Sequence, residues 1–131
     1  MRLLLDTHIA FWLISDITKL RTSELALLRN TDTEACLSVV AIWELRLKWA
    51  SLHRSGDRKG PVDPVEALAA FQRLQLPIIA LEPDVAAMPL AHPLQHKDPF
   101  DELLLVQAQA RAMLLFTRDE ALKDHPLAYF A

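Results

Sequence analysis

Residues 98–116 read DPFDELLLVQAQARAMLLF and predict one complete helix–strand unit. Asp98 has the side chain of an N-cap residue, Pro99 suits the first helical position, and apolar residues then recur at helical spacing. The apolar run Met113–Phe116 is short enough for a buried strand. Asp101 falls in the first turn of the predicted helix, so two acids lie where this helix begins.

The rest of the chain repeats this alternation of short apolar runs and longer helical patterns. Further strands are predicted at Arg2–Leu5, Ala35–Ser38, Pro77–Leu81 and Leu127–Phe130. Helical patterns cover Thr7–Ile14, Thr22–Arg29, Val39–Leu52, Pro64–Leu74 and Pro83–Ala91, with a helical turn at Asp119–Lys123. The segment 53–63 holds both glycines and predicts a loop. This order is typical of an α/β fold built from βαβ units, with a mostly parallel sheet of about five strands.

Composition indicates a packed globular chain, and we expect one domain over residues 1–131. Hydrophobic residues make up 52% of the sequence and the net charge is −3, which argues against a broad basic platform for nucleic acid. A nuclease that concentrates acids in its active site is still compatible with this charge. Cys36 is the one cysteine and no export signal or membrane anchor is recognised, so we expect a cytoplasmic protein with Cys36 buried and chemically idle.

Four acids occupy positions that tend to converge in an open α/β sheet. Asp6 follows the first predicted strand, Asp101 and Asp119 lie at the start of helical segments, and Glu44 lies early in the helix after the second strand. Ligands bind in the crevice beyond the carboxyl ends of such strands. Each acid also has a structural explanation: Asp6 or Asp119 as helix caps, Asp101 as a partner of the helix dipole, and Glu44 in an i,i+4 pair with Lys48.

A converging quartet would be self-repulsive, because two carboxylates about 4 Å apart repel by about 4 kcal/mol at an effective dielectric constant near 20. Such a cluster needs a cation. Carboxylate oxygens favour Mg²⁺ or Mn²⁺ over zinc, and these ions support phosphodiester hydrolysis by activating water.

Four segments in this order resemble the motifs of VapC-type PIN-domain toxins. They are LLLDTH at 3–8, SVVAIWEL at 38–45, DPFDELLLVQAQA at 98–110 and TRDEAL at 117–122. The resemblance implies a PIN-like three-layer α/β/α sandwich and a metal-dependent endoribonuclease, the toxin of a toxin–antitoxin pair. It carries the catalytic and metal-binding roles onto Asp6, Glu44, Asp101 and Asp119, with Asp98 as the helix cap. It also implies a Mg²⁺ or Mn²⁺ cofactor, an RNA substrate, a small antitoxin that masks the acidic site, and a homodimer.

Several basic residues are candidates for binding the RNA substrate. Arg54, Arg58 and Lys59 lie in the densest basic stretch of the chain, although an ordinary solvated loop explains them equally well. Arg118 departs from the family pattern, in which a small residue is usual, and we expect it either to hold phosphate or to pair with Glu120.

Other features have simpler interpretations. Trp12, Trp43 and Trp49 lie on helical patterns and are predicted to be core residues. His8 lines the site, packs on its helix or lies at the surface. Pro93 argues against a helical zinc site at His92 and His96.

The main alternative function is a non-catalytic PIN-like binding module. The presence of all four acids argues against this alternative. A receiver domain would have an acidic neighbour beside Asp6, and a haloacid-dehalogenase-like phosphatase would have a second aspartate in place of His8.

Overall fold

A parallel sheet of five strands forms the centre of the computed structural model, which describes residues 1–131. The strands are β1 (Arg2–Leu5), β2 (Glu34–Ser38), β3 (Ile78–Ile79), β4 (Leu114–Phe116) and β5 (Ala128–Tyr129), in the spatial order β3-β2-β1-β4-β5. Every neighbouring pair is parallel, so all five carboxyl ends lie at one edge. The predicted α/β class and strand number are confirmed.

Six helices cover the sheet. They are α1 (Thr7–Ser15), α2 (Thr22–Arg29), α3 (Val39–Ala50), α4 (Pro64–Arg73), α5 (Pro83–Ala86) and α6 (Pro99–Ala110). Two short 3-10 helices cover Ile17–Lys19 and Glu120–Leu122. Asp98 caps α6 by accepting hydrogen bonds from the amides of Phe100 and Asp101, as predicted.

Several elements are shorter than the sequence predicts, and the difference is largest for β3 and for the helix after it. β3 contains only two residues instead of Pro77–Leu81, because β2 ends at Ser38, opposite Ile79, and offers no partner beyond it. The helix predicted over Pro83–Ala91 ends at Ala86. Pro89 explains this early end, since a proline disfavours helical geometry in the residue before it.

The two faces of the sheet bury separate apolar cores. Leu3, Leu5 and Phe116 point to one face and pack against α1, α3 and α4, whereas Leu4 and Leu115 point to the other and pack against α6. This alternation follows from the two-residue period of a strand. The result is the predicted three-layer sandwich.

Helix α3 lies between the two cores and still exposes an apolar stripe. Val39, Trp43 and Leu47 are spaced four residues apart and are 38%, 51% and 37% exposed. The prediction that Trp43 is a core residue is therefore wrong: α3 is apolar on most sides, and only part of its surface can face the sheet. Cys36 is buried as predicted. No helix is both long and apolar enough to cross a bilayer.

The glycine-containing loop folds back onto the end of α3. The Arg58 guanidinium lies 4.8 Å from the centre of the Trp49 ring and donates a 2.9 Å hydrogen bond to the Trp49 carbonyl. At Gly60 a Cβ atom would lie 2.4 Å from the backbone nitrogen of Trp49, so only glycine fits there. The loop therefore has a defined path along the helix.

Candidate active site

A cavity of about 250 Å³ opens at the carboxyl edge of the sheet. It is lined by Asp6, His8, Glu44, Leu47, Lys48, Ser51, Asp98, Phe100, Asp101 and Asp119. We call this cavity the acidic pocket. The structure thus brings together all four acids that the sequence singles out, and it adds Asp98.

The ends of β1 and β4 position two of these acids. The amide of Asp6 donates to the carbonyl of Phe116 at 2.9 Å, which extends the pairing of the two strands by one residue. The hydroxyl of Thr117 donates to Oδ2 of Asp6 and accepts a 3.0 Å hydrogen bond from the amide of Asp119. Thr117 therefore ties Asp6 to Asp119, and the TRD sequence reflects this geometry.

Burial makes ionisation of Asp6 unfavourable. The side chain is almost fully buried, and this desolvation raises the pKa of its carboxyl above the ordinary value. The nearby charge of Glu44 raises the pKa further, while the Thr117 hydrogen bond and His8 act in the opposite direction. A divalent cation would relieve both unfavourable effects.

Glu44, which lines the acidic pocket, has two protein partners. Thr7 donates to its Oε1 at 3.2 Å and the Lys48 ammonium donates to its Oε2 at 2.9 Å. The i,i+4 pair between Glu44 and Lys48 that the sequence predicts is thus present. Both residues of this pair also line the acidic pocket, so the structural and functional explanations of Glu44 are compatible.

Among the acids of the pocket, Asp101 has the largest pKa shift. Burial raises the pKa of its carboxyl to about 6, and the charges of Asp98, Asp6 and Asp119 raise it in the same direction. A hydrogen bond between its Oδ2 and Nε2 of His96, at 3.0 Å, partly opposes the shift. Crowded acids with too little compensating charge are typical of a cation-binding site.

The donor chemistry fits a hard divalent ion. Asp6, Asp101 and Asp119 are each held through one carboxylate oxygen, by Thr117, His96 and the amide of Ala121 respectively, which leaves their second oxygens for a cation. No three candidate side chains yet approach closely enough to form a complete ligand set. Side-chain rotations would therefore have to accompany binding of Mg²⁺ or Mn²⁺.

The candidate RNA-binding residues lie outside the lining of the acidic pocket. Arg118 forms hydrogen bonds with both carboxylate oxygens of buried Glu24, donates to the carbonyl of Lys19 at 2.9 Å and stacks on Trp12. Its partner is therefore Glu24 rather than Glu120. Arg58 is engaged with Trp49.

Sequence reasoning missed the contacts of two further polar residues. His96 reaches Asp101 from an irregular segment that has no recognisable pattern, so no local signal predicted this contact. Lys48 was recognised only as a surface partner of Glu44. His8 lines the pocket, which was one of its expected roles.

Comparisons with known proteins identify the family and the fold of the chain. The PIN-domain family model matches residues 3–126. No curated protein matches the chain. A VapBC2 chain from Rickettsia felis, crystallised with a promoter DNA fragment, has a similar fold: TM-score 0.65, 16% identity, and coverage of 100% of this chain and 98% of that one.

Two other solved structures are also similar. A chain of a Klebsiella pneumoniae toxin–antitoxin complex has TM-score 0.59 and 19% identity, with coverage of 96% of this chain and 94% of that one. A chain of VapBC-5 from Mycobacterium tuberculosis has TM-score 0.53 and 19% identity, covering 98% and 96%. The predicted resemblance to this group is confirmed at the level of fold. Because the family model spans nearly all of the sequence, the chain belongs to the PIN-domain family.

Proposed function

We propose that this protein is a Mg²⁺- or Mn²⁺-dependent endoribonuclease, the cytoplasmic toxin of a toxin–antitoxin pair. One observation carries the proposal: four acids from four separate segments of the chain line a single pocket at the carboxyl edge of the sheet. The solved structures with a similar fold come from toxin–antitoxin complexes, which supports the biological setting.

In this proposal Asp6, Glu44, Asp101 and Asp119 hold the ion. When bound, such an ion activates a water molecule and neutralises the phosphate of the scissile bond. The protein contributes the positioning: Thr117 fixes Asp6, and the capped start of α6 fixes Asp101. The elevated pKa values of Asp6 and Asp101 indicate that the pocket is arranged for a charge larger than its own residues provide.

RNA would approach along the loop that follows α3. Ser51 lines the acidic pocket, and the exposed side chains of Arg54 and Lys59 follow it within the next eight residues. We propose that these two residues attract RNA phosphates while Arg58 holds the loop against Trp49. Arg118 is not part of this proposal, because its guanidinium is already bound to Glu24.

An apolar groove of about 540 Å³ adjoins the acidic pocket. It is lined by Val39, Val40, Trp43, Leu81, Pro99, Phe100 and Leu103. Phe100 lines both cavities, so a bound segment could fill the groove with apolar side chains and place a cationic one beside the acids. We propose that an antitoxin segment of this kind masks the site. We also propose that the chain forms a homodimer, to be tested by analytical ultracentrifugation.

Cleavage of RNA by the purified protein tests the central proposal. We expect Mn²⁺-dependent fragmentation that EDTA abolishes and that Asp6→Asn and Asp101→Asn remove without loss of the fold. Asp84→Asn, at an exposed acid outside the pocket, is the matched control and should remain active. Full activity in excess EDTA would contradict a metal mechanism. A protein that binds its antitoxin but cleaves no RNA under any of these conditions would support the non-catalytic binding module instead.

A further inference from the structure

Lys48 is the only lysine or arginine among the residues that line the acidic pocket. Its ammonium lies 2.9 Å from Oε2 of Glu44. We propose that Lys48 is the internal counter-ion of the pocket when no divalent metal is bound, and that it transfers from Glu44 to an RNA phosphate once metal binds. This inference rests on the proposed function, because it names a substrate contact of the same site.

The charges around Lys48 explain why it lies on Glu44 in the absence of metal. Five acids line the pocket, and the pKa values of Asp6 and Asp101 are already raised by burial and by their acidic neighbours. One ammonium ion cannot neutralise all of them, but it lowers the repulsion on the acid it contacts. A divalent ion that coordinates Oε2 of Glu44 must compete with Lys48 for that oxygen.

The position of Lys48 also allows the transfer. Its side chain is 43% exposed, and it lies in the last turn of α3, so the ammonium can turn toward solvent without disturbing the helix. Thr7 holds the other oxygen of Glu44, so the carboxylate keeps one partner while the second oxygen is released. A lysine ammonium is a compact, mobile point charge and is a common ligand of phosphate.

The first experiment measures metal affinity without RNA. Isothermal titration with Mn²⁺ should show that Lys48→Met binds the ion about five- to tenfold more tightly than wild type, because a competing cation has been removed. Lys48→Arg should remain within about twofold of wild type. Lys123→Met, which makes the same charge change outside the pocket, is the matched control and should not alter the affinity. An unchanged or weaker affinity in Lys48→Met would overturn the counter-ion role.

The second experiment measures RNA recognition at saturating Mn²⁺. Lys48→Met should raise KM for a short single-stranded RNA about tenfold and change kcat by less than threefold, whereas Lys48→Arg should restore KM. A KM of Lys48→Met equal to that of wild type would overturn the phosphate role. An equal increase of KM in Lys123→Met would also overturn it. If wild type binds Mn²⁺ but leaves RNA intact, the proposed function fails. In that case the dissociation constant of the intact RNA, measured by fluorescence anisotropy, replaces KM as the test of whether Lys48 contacts an RNA phosphate.

Discussion

The protein buries carboxylates in two places whose electrostatic environments differ. Burial alone would raise the pKa of Glu24. Hydrogen bonds from the Arg118 side chain and the Arg21 amide, together with the positive charges of both arginines, hold that pKa below its ordinary value. In the acidic pocket burial and neighbouring acids raise the pKa of Asp101 to about 6. A fully paired carboxylate stabilises the fold, whereas an under-compensated one retains affinity for a cation.

The two places should respond to pH in opposite ways. The lowered pKa of Glu24 gives stability that is present above its unfolded-state pKa and is lost as the pH falls through the lowered folded-state value. The raised pKa of Asp101 has the reverse effect, since stability is greatest when the carboxyl is protonated and declines as the pH rises through about 6.

The largest effect is expected from Arg118→Ala. Glu24 is only 1% exposed, so loss of Arg118 leaves a buried charge whose remaining partner is the Arg21 amide, and it should lower the free energy of unfolding by about 3 kcal/mol. Urea denaturation measures this change. The double variant Glu24→Leu/Arg118→Met, which removes both charges, should recover most of the stability. A loss below about 1 kcal/mol in Arg118→Ala would mean that Glu24 does not depend on its partner more than the acids of the pocket do.

Mn²⁺ should stabilise the acidic pocket and leave the contribution of the Glu24 pair unchanged. At a free ion concentration about 100 times the dissociation constant, the gain in unfolding free energy is about 2.7 kcal/mol. Thermal melts should show this gain in wild type and in Arg118→Lys, and should not show it in Asp6→Asn or Asp101→Asn. An equal shift in all four proteins would place the bound ion elsewhere.

Asp101→Asn should stabilise the metal-free protein at pH 7. A shift of two pKa units corresponds to nearly 3 kcal/mol, and water in the open pocket reduces the expected gain to about 1–2 kcal/mol. The gain should shrink as the pH falls from about 6 to below 3.8, the ordinary pKa of this carboxyl, because the wild-type group is then protonated in both folded and unfolded states. Paired urea titrations in EDTA at these pH values measure it. A gain that does not vary with pH would assign the effect to packing rather than to charge.

The smallest effect is expected in the loop after α3. Replacing both Arg54 and Lys59 by alanine should reduce the salt dependence of RNA binding by about 1.4 in slope, since each phosphate contact on a single strand contributes about 0.7. Cleavage at saturating RNA should stay near wild type. Arg29→Ala/Lys123→Ala removes two exposed charges elsewhere and serves as the control. An identical slope in both double variants would indicate that the loop is merely solvated.

Local chemistry explains which features were predictable from the sequence. The start of α6 was predicted at the correct residue, because Asp98 and Pro99 act within one helical turn. The convergence of the acids was also predictable, since parallel strands place their carboxyl ends at one edge. Arg118 and Glu24 pair across 94 positions of the sequence, and no pattern near either residue predicts this pairing. The exposure of Trp43 likewise depends on how much of α3 the sheet can cover.

The strand order determines when the acidic pocket can first exist. β1 lies at the centre of the sheet, and its Leu3 pairs with Leu114 of β4, while Asp119 follows that strand. During synthesis, at about 5–20 residues per second, β1 must wait several seconds for this partner. No hairpin can substitute for it, because every strand pairing is parallel and non-local. A nascent or truncated chain that stops before residue 114 therefore lacks both the β1–β4 pairing and Asp119, and such a fragment has no assembled acidic pocket.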